Sequence, residues 1–384
     1  MRVAIVTREW PPDVYGGAGV HVEYLARELR RHVDVDVHCF GAPRPDATAH
    51  RVPADYANAN AALQTLAVDL SITASMSRPD VVHSHTWYAN MAGHLSGLIH
   101  SVPHVLTAHS LEPLRPWKAE QLAGGYRISS WVERTSYENA DAVIAVSDGM
   151  RADVLACYPD VDPDKVHVIR NGIDYANYQR DPDTDHLIAL GIDPDVPYLV
   201  FVGRITRQKG LPHLLNALRL LGGGVPLVMC ASAPDTPELG DEVRRLVAEL
   251  RHDGHIIYWI EDHLPKSTLI QLLSHAAMFV CPSIYEPLGI VNLEAMACEL
   301  AVVASAVGGI PEVVVDGDTG LLVDYDATAP ADFETALAKA IRQLLNNPVL
   351  GRTMGLRGRQ RAVADFGWDL VARRTVEIYQ AVRR

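Results

Sequence analysis

The sequence lacks the marks of a disulfide-bonded or membrane-spanning protein. Its five cysteines are scattered, and no two of them lie within four residues of each other, so no CxxC pair is present for zinc or redox chemistry. Their odd number and wide spacing favour reduced thiols. No apolar run approaches the roughly 18 residues of a membrane span, and the first run, residues 3–6, is too short for a signal sequence. The sequence therefore predicts a cytoplasmic protein without a membrane partner.

Basic charge is also scarce. The chain has 34 Lys and Arg residues against 47 Asp and Glu residues, a net charge of −13 with histidine neutral. Binding along a nucleic acid needs a basic surface, so we expect no nucleic-acid partner. A local basic pocket for a small phosphate is still allowed. With 384 residues, of which 48% are hydrophobic, the chain is long enough for two or three folded domains of about 150 residues each.

What is present is a regular alternation of short apolar segments and helical segments. Runs rich in β-branched residues predict strands at 3–6, 35–39, 81–85, 104–108, 142–146, 198–202, 227–231, 256–259, 278–281 and 301–304. Apolar strands separated by helices are typical of parallel sheets covered on both faces. A turn-rich segment, 181–197, divides the alternation. We therefore expect an α/β protein of two doubly wound, Rossmann-like domains, 1–180 and 181–365, that face a central cleft.

The last segment, 366–384, has the apolar spacing of an amphipathic helix. Such a helix can pack on the second domain or cross back to the first. The sequence alone leaves both arrangements open.

A glycine-rich loop follows the first predicted strand and precedes a helix. It contains Gly16, Gly17 and Gly19. Glycine lets the backbone approach a ligand closely, and the N–H groups at a helix start favour an anion. The spacing is not the GxGxxG pattern of dinucleotide-binding domains. The glycines indicate either an anion-binding loop or a simple tight turn.

A second loop, directly after the strand 198–202, carries Arg204, Arg207 and Lys209. Open parallel sheets bind ligands beyond the carboxyl ends of their strands. Arg204 and Lys209 are therefore placed to clamp a diphosphate, whereas Arg207 fits a surface charge better. A solvated basic loop is the alternative interpretation.

Two glutamates, Glu286 and Glu294, follow the strand 278–281. Pro287 and Gly289 favour an extended start and a helix that begins near Gly289. Glu286 then lies just before the helix N-terminus, and Glu294 lies more than one turn inside the helix. With a nucleotide-sugar phosphate at this N-terminus, one carboxylate can bind sugar hydroxyls and the other the ribose diol. A single glutamate on an apolar helix is also common without any such role.

Two further sequence patterns do not predict a functional site. His83 and His85 place two imidazoles on one face of a strand, as in a metal site, but no third ligand of suitable spacing is evident, and we expect no metal there. Arg357, Arg359 and Arg361 form a basic run on a late helix, which predicts a solvated face.

The motifs occur in the order found in a known enzyme family. Four segments resemble the retaining glycosyltransferases of family 4, which have the GT-B fold: 16–19, 171–174, 203–210 and 286–294. Three segments resemble, more narrowly, the actinobacterial α-maltose-1-phosphate synthases, once grouped with bacterial glycogen synthases: 8–17, 109–118 and 285–296. Residues 308–312 also resemble a family segment, without an implied role.

The resemblance implies roles residue by residue. The catalytic residues would be His109, Glu286, Arg204 and Lys209. The donor would be bound by Gly16, Gly17, Gly19, Arg204, Lys209, Glu286, Gly289, Ile290, Val291 and Glu294. His109 would contact the 6-hydroxyl of the sugar, the two cations would neutralise the leaving diphosphate, and Glu294 would bind the ribose. No cofactor and no active-site metal are implied.

Three basic residues after the strand 104–108 suit a phosphorylated acceptor through charge-assisted hydrogen bonds: Arg115, Lys118 and Arg127. Ordinary surface charge is the alternative. A neutral glucan end would instead contact aromatic side chains, for which Trp117 and Tyr126 are available.

The resemblance thus implies a retaining α-1,4-glucosyltransferase that moves glucose from ADP-glucose to glucose 1-phosphate and gives α-maltose 1-phosphate for glycogen or other α-glucan synthesis. One alternative is a glycogen synthase that elongates an α-glucan. Others are transfer of a sugar to a lipid or small thiol, and a GT-B protein that binds or epimerises a sugar nucleotide. We keep a homodimer as a hypothesis.

Overall fold

The computed structural model of the chain describes residues 1–14, 16–116, 118–262 and 264–383. The backbone forms two compact units. The first contains Met1–Gly172 and the segment from Trp368 onward, and the second contains Ile173–Gly367. No helix among the described residues is long and apolar enough to cross a membrane.

The first unit is a sheet of seven parallel strands with helices packed on it. The strands are β1 (Arg2–Thr7), β2 (Asp34–Phe40), β3 (Thr48–His50), β4 (Val81–His85), β5 (His104–Ala108), β6 (Ala142–Ala145) and β7 (Val166–Val168). The helices are α1 (Gly17–Leu29), α2 (Ala61–Ser75), α3 (Trp87–His100), α4 (Lys118–Leu122), α5 (Tyr126–Asn139), α6 (Asp148–Cys157) and α15 (Trp368–Val382). The strand order is β3-β2-β1-β4-β5-β6-β7, so the chain reverses its direction of winding between β1 and β4.

The second unit is a sheet of six parallel strands in the order β10-β9-β8-β11-β12-β13. The strands are β8 (Leu199–Ile205), β9 (Leu227–Pro234), β10 (Ile257–Ile260), β11 (Met278–Cys281), β12 (Val302–Ser305) and β13 (Gly320–Val323). The helices are α7 (Asp185–Ala189), α8 (Leu211–Leu221), α9 (Pro237–His252), α10 (Lys266–His275), α11 (Ile290–Ala297), α12 (Ile310–Val313), α13 (Pro330–Leu345) and α14 (Pro348–Asp365). Here the winding reverses between β8 and β11.

Each sheet is buried because its strands carry apolar side chains on both faces. Where β4 and β5 carry polar residues, these residues bond to each other across the strands. His83 Nε2 lies 2.7 Å from Thr107 Oγ1, and Ser84 Oγ lies 2.8 Å from His104 Nε2. Buried polar groups paired in this way avoid most of the cost of leaving water.

The last helix, α15, belongs to the first unit. The ring of Trp368 stacks on Tyr24 of α1 with 5.6 Å between the ring centroids. The buried Tyr379 hydroxyl lies 2.6 Å from His83 Nδ1 on β4. These contacts answer the question that the sequence left open about the segment 366–384.

The segment 181–197 does not connect the two units, although its composition is that of a linker. It lies within the second unit and forms α7. The backbone N–H of His186 donates to Gln271 Oε1 of α10 at 3.0 Å, and Gln271 Nε2 donates to Asp185 Oδ1 at 2.7 Å. Asp185 thus stabilises the start of a short packed helix. The boundary between the two units follows Gly172, whereas the boundary expected from the sequence follows residue 180.

Candidate functional site

The strands β8 and β11 are neighbours at the point where the second sheet reverses its winding. The loops after such strands diverge and leave a crevice, which is where open α/β sheets bind ligands. The two loops are joined here by a hydrogen bond from Ile284 N to Gln208 O at 2.9 Å. Gly210 has a φ of 61°, and a Cβ atom there would lie 2.0 Å from Pro282 O. Only glycine lets the loops approach this closely.

Lys209 and Glu286 form an ion pair in this crevice. Lys209 Nζ lies 2.7 Å from Glu286 Oε2, and the two side chains are 20% and 9% exposed. Burial lowers the pKa of Lys209, but the Glu286 carboxylate outweighs burial and raises it above its usual value. Ser283 Oγ also donates to Glu286 Oε2 at 3.2 Å. The structure thus brings together two of the four residues for which the resemblance implies a catalytic role.

Arg204 is the more accessible of the two predicted clamp residues. Its guanidinium lies 3.2 Å from Asp235 Oδ1, with 42% of the Arg204 side chain exposed against 14% for Asp235. Arg204 and Lys209 each have a carboxylate partner, so a bound diphosphate would compete with those carboxylates for both cations. Arg207, predicted as a surface charge, is exposed.

The backbone of Glu286 is held from the segment 308–312. Gly309 N donates to Glu286 O at 2.9 Å. Gly308 has a φ of 53°, and a Cβ atom on it would lie 2.1 Å from the same carbonyl oxygen. Sequence reasoning assigned no role to this segment, and in the structure it positions Glu286.

The helix α11 begins at Ile290, directly after Gly289, whose φ is 94°. Glu286 therefore precedes the helix. The first N–H groups of α11 have no hydrogen-bond partner within the helix. Glu294 lies one turn further and accepts a hydrogen bond from the Tyr178 hydroxyl at 2.8 Å, while burial raises its pKa. Sequence reasoning missed Asn292, a buried side chain whose amide has no hydrogen-bond partner among the described residues.

The basic run on α14 is a solvated face only in part. Arg357 is 53% exposed and pairs with the exposed Asp318, as the sequence predicts, whereas Arg359 and Arg361 bond to backbone carbonyls. The guanidinium of Arg359 donates to Ala297 O at the end of α11 at 2.7 Å, and it also bonds Tyr178 O. Arg361 donates to Val313 O at 3.0 Å. Arginine satisfies carbonyls at helix ends well because it has five donors, and here these donors fix the helix that carries Glu294.

In the first unit, the glycine-rich loop packs around a carboxylate. Gly16 N donates to Glu9 Oε2 at 2.9 Å. A Cβ atom on Gly19 would lie 2.5 Å from the same oxygen. An anion at the start of α1 is thus supplied from within the chain by Glu9. The role of Gly16, Gly17 and Gly19 in binding a donor stays a prediction.

His109 follows β5 directly and lies beside His85, the last residue of β4. His85 Nδ1 is 3.0 Å from His109 Nε2. Burial lowers the pKa of both imidazoles well below the usual value, so both are neutral at neutral pH. His109 remains partly exposed and can offer a hydrogen bond to a sugar hydroxyl.

Two cations of the first unit contact the ring of Tyr88. Lys118 Nζ lies 3.4 Å from the Tyr88 hydroxyl, and the guanidinium carbon of Arg8 lies 4.0 Å from the ring centroid. Arg115 donates to Ser110 Oγ at 3.0 Å. Sequence reasoning missed Arg8, although its place directly after β1, at the reversal of winding, is a signal that could have found it.

The predicted acceptor loop is anchored by buried carboxyl groups. Glu112 N donates to Glu133 Oε1 at 2.7 Å, and Ser129 Oγ donates to Glu112 Oε2 at 2.6 Å. The Tyr126 hydroxyl donates to Glu112 O at 2.6 Å, so Tyr126 holds the loop.

The remaining residues predicted for an acceptor are Arg127 and Trp117. Arg127 is exposed at the start of α5. Trp117, the other aromatic residue predicted for a glucan acceptor, lies outside the described residues.

Comparison with known proteins identifies the family. The model for Glycosyltransferase Family 4 matches residues 15–177, and the model for Glycosyl transferases group 1 matches residues 183–361. The chain is 55% identical to the α-maltose-1-phosphate synthase of Mycolicibacterium smegmatis, with 100% of both chains covered. It is 30% identical to a glycogen synthase of Mycobacterium tuberculosis, over 100% of this chain and 95% of the other.

The fold also resembles that of a solved enzyme structure. Sucrose-phosphate synthase from Thermosynechococcus elongatus superposes with a TM-score of 0.81 at 25% identity, over 99% of this chain and 98% of the other. Two parallel-sheet units confirm the α/β, GT-B fold predicted from the sequence. The chain therefore belongs to glycosyltransferase family 4 and is a nucleotide-sugar-dependent glycosyltransferase.

Proposed function

We propose that this protein transfers glucose, with retention of configuration, from ADP-glucose to glucose 1-phosphate and so forms α-maltose 1-phosphate. The observation that carries the proposal is the basic group of the first unit, in which Arg8 and Lys118 contact Tyr88 and the backbone N–H of Lys118 donates to Arg115 O at 2.9 Å. The full-length identity of 55% to an α-maltose-1-phosphate synthase supports the same product.

The second unit has groups suited to the donor. When the bond between the anomeric carbon and the diphosphate oxygen breaks, negative charge grows on the leaving ADP. Lys209, Arg204 and the N–H groups at the start of α11 are suited to stabilise that charge. Once a phosphate takes Lys209, the Glu286 carboxylate can accept hydrogen bonds from the sugar hydroxyls. Glu294 can accept hydrogen bonds from the ribose.

The first unit has groups suited to the acceptor. In the proposed reaction the 4-hydroxyl oxygen of the acceptor bonds to the anomeric carbon, and its proton passes to the leaving diphosphate. Lys118, Arg8 and Arg115 would bind the acceptor phosphate through charge-assisted hydrogen bonds. His109, neutral at neutral pH, would bind the 6-hydroxyl of the transferred glucose.

The test is product analysis. ADP-glucose and UDP-glucose are each offered with glucose 1-phosphate and, in parallel, with glycogen. We expect the fastest reaction to be from ADP-glucose to a hexose-disaccharide phosphate. Labelled glycogen without any disaccharide phosphate would overturn the proposal and show a glycogen synthase instead.

A matched pair of variants tests the acceptor residues. Lys118→Ala should raise KM for glucose 1-phosphate about tenfold or more while KM for the donor changes little, because the lost interaction is to acceptor phosphate. Arg134→Ala removes an exposed cation of α5 that pairs with Glu138 and should change neither constant. An equal rise in both KM values for Lys118→Ala would show that Lys118 only supports the fold.

A further inference from the structure

Three histidines from separate segments of the first unit meet at the carboxyl ends of its central strands. They are His21 in α1, His85 at the end of β4 and His109 after β5. One ring nitrogen of each lies within 4.8 Å of one ring nitrogen of each other histidine. We infer that this His21–His85–His109 cluster binds a divalent transition-metal ion such as Zn²⁺, and that the transfer reaction does not require this ion.

The fold supplies the third ligand that the sequence pattern lacks. The pattern shows His83 and His85 on one strand, yet both ring nitrogens of His83 are already bonded, to the Tyr379 hydroxyl at 2.6 Å and to Thr107 Oγ1 at 2.7 Å. His83 therefore has no lone pair to spare. His21 and His109, distant in sequence, take its place beside His85.

The hydrogen bond of His21 fixes the tautomer that a metal needs. His21 Nδ1 lies 2.7 Å from Asn171 Oδ1, and an amide oxygen only accepts, so Nδ1 carries the proton. The lone pair is then on Nε2, which is buried and has no hydrogen-bond partner among the described residues. Metal-binding histidines usually have such a partner on the other nitrogen, which orients the ring.

The remaining chemistry of the cluster also suits a metal. Burial lowers the pKa of His21 to about 4, and those of His85 and His109 lie well below the usual value for the same reason. All three imidazoles are therefore unprotonated at neutral pH, as metal ligands must be.

The geometry requires only small movements of the three rings. Zn–N bonds of about 2.1 Å in a tetrahedral site place the ligand nitrogens about 3.4 Å apart. The ligand nitrogens of the three histidines lie within 4.8 Å of one another, and His85 Nδ1 and His109 Nε2, now 3.0 Å apart, would exchange their hydrogen bond for bonds to the metal. The partly exposed edge of His109 gives access, and water would be the fourth ligand. Three imidazoles favour Zn²⁺, Co²⁺, Ni²⁺ or Cu²⁺ over Mg²⁺ and Ca²⁺.

Occupation of the cluster would have one consequence for the proposed function. A bound metal takes His109, which then cannot bind the 6-hydroxyl of the sugar, so Zn²⁺ should inhibit transfer. This consequence rests on the proposed function, whereas metal binding itself does not.

The experiment measures binding on the full chain, freed of metal by a chelator, with no substrate present. Co²⁺ is titrated while its visible d–d absorption is followed, and Zn²⁺ is titrated by calorimetry. We expect one Co²⁺ per chain, with the intense bands of a four-coordinate ion that Zn²⁺ displaces and excess Mg²⁺ does not. His21→Ala should weaken binding at least about tenfold, and Asn171→Leu, which keeps all three imidazoles, by about 10- to 100-fold.

His32→Ala removes an exposed histidine and should leave the affinity for Co²⁺ unchanged. Circular dichroism and thermal melting show whether each variant is folded. The inference is overturned if the wild type binds no Co²⁺ stoichiometrically, or if folded Asn171→Leu and His21→Ala bind Co²⁺ as tightly as the wild type. Because no step uses a donor or acceptor, a failure of the transferase assays would leave this result unaffected.

Discussion

Lys209→Ala removes the ammonium group that lies 2.7 Å from Glu286 and leaves a carboxylate that is only 9% exposed without that partner. Breaking a fully buried ion pair costs about 3–5 kcal/mol. Since Lys209 is 20% exposed, water relieves part of the loss, and we expect the free energy of unfolding to fall by about 2–3 kcal/mol. At about 2–4 °C per kcal/mol for a unit of this size, Tm should fall by about 4–12 °C.

The effect on catalysis should exceed what this loss of stability explains. With the cation absent, charge on the leaving diphosphate is stabilised less, and we expect kcat to fall about 10²-fold or more at a temperature where the variant is folded. The assay is the rate of disaccharide phosphate formation at saturating donor, beside a thermal melt. Arg207→Ala, an exposed cation of the same loop, is the matched control and should change neither value.

A double variant separates the two effects. Lys209→Ala combined with Glu286→Gln removes the unpaired charge, so Tm should recover part of the loss while kcat stays low. The reasoning is refuted if Lys209→Ala lowers Tm but leaves kcat within about threefold of wild type, and Lys209 then supports the fold alone. Loss of a charge-stabilising group should lower kcat far more than threefold.

Three further substitutions test other parts of the structure. Gly308→Ala should lower both Tm and kcat, the latter about tenfold or more, because its Cβ would lie 2.1 Å from Glu286 O. The control Gly317→Ala, at a position with a φ of 73° and open space around it, should lower Tm alone. Equal losses of kcat in the two variants would contradict the proposed positioning of Glu286. Burial raises the pKa of Glu133 from 4.5 to about 8, so its contribution to stability is full below about pH 4.5 and is lost as the pH rises through 8. Thermal melts from pH 5 to 8 should therefore show a smaller decline of Tm for Glu133→Gln than for wild type, and parallel curves would exclude this role. Arg8→Ala should raise KM for glucose 1-phosphate about as much as Lys118→Ala, since both cations contact Tyr88, and an unchanged KM would remove Arg8 from the acceptor site.

Much of the fold follows from the sequence because the central strands are buried on both faces and are therefore dominated by apolar residues. The edge strands β3, β7 and β13 escaped prediction for the opposite reason. Each is only three or four residues long and partly exposed, so its apolar residues are too few to indicate a strand. Their pairing depends on neighbouring strands, which local composition does not encode.

The site was predictable where a motif lies on one loop and unpredictable where distant segments meet. Glu286 and Glu294 lie where their local pattern predicts, before and within α11. The pairing of Lys209 with Glu286 follows only from the strand order that makes β8 and β11 neighbours. Nothing local indicates that Arg359 fixes the end of α11, because an arginine on a helix surface has the same local sequence whether it faces water or a carbonyl.

The return of α15 to the first unit has a consequence for how this protein is made. Synthesis proceeds from the first residue onward, yet the first unit is complete only when the segment from Trp368 leaves the ribosome. The second unit, Ile173–Gly367, is one continuous stretch and is available to fold before that. During this interval the strand β4 lacks Tyr379, the partner of His83. Most of the first unit is thus synthesised before the second unit, yet its sheet and helices are complete only after the second unit has been made.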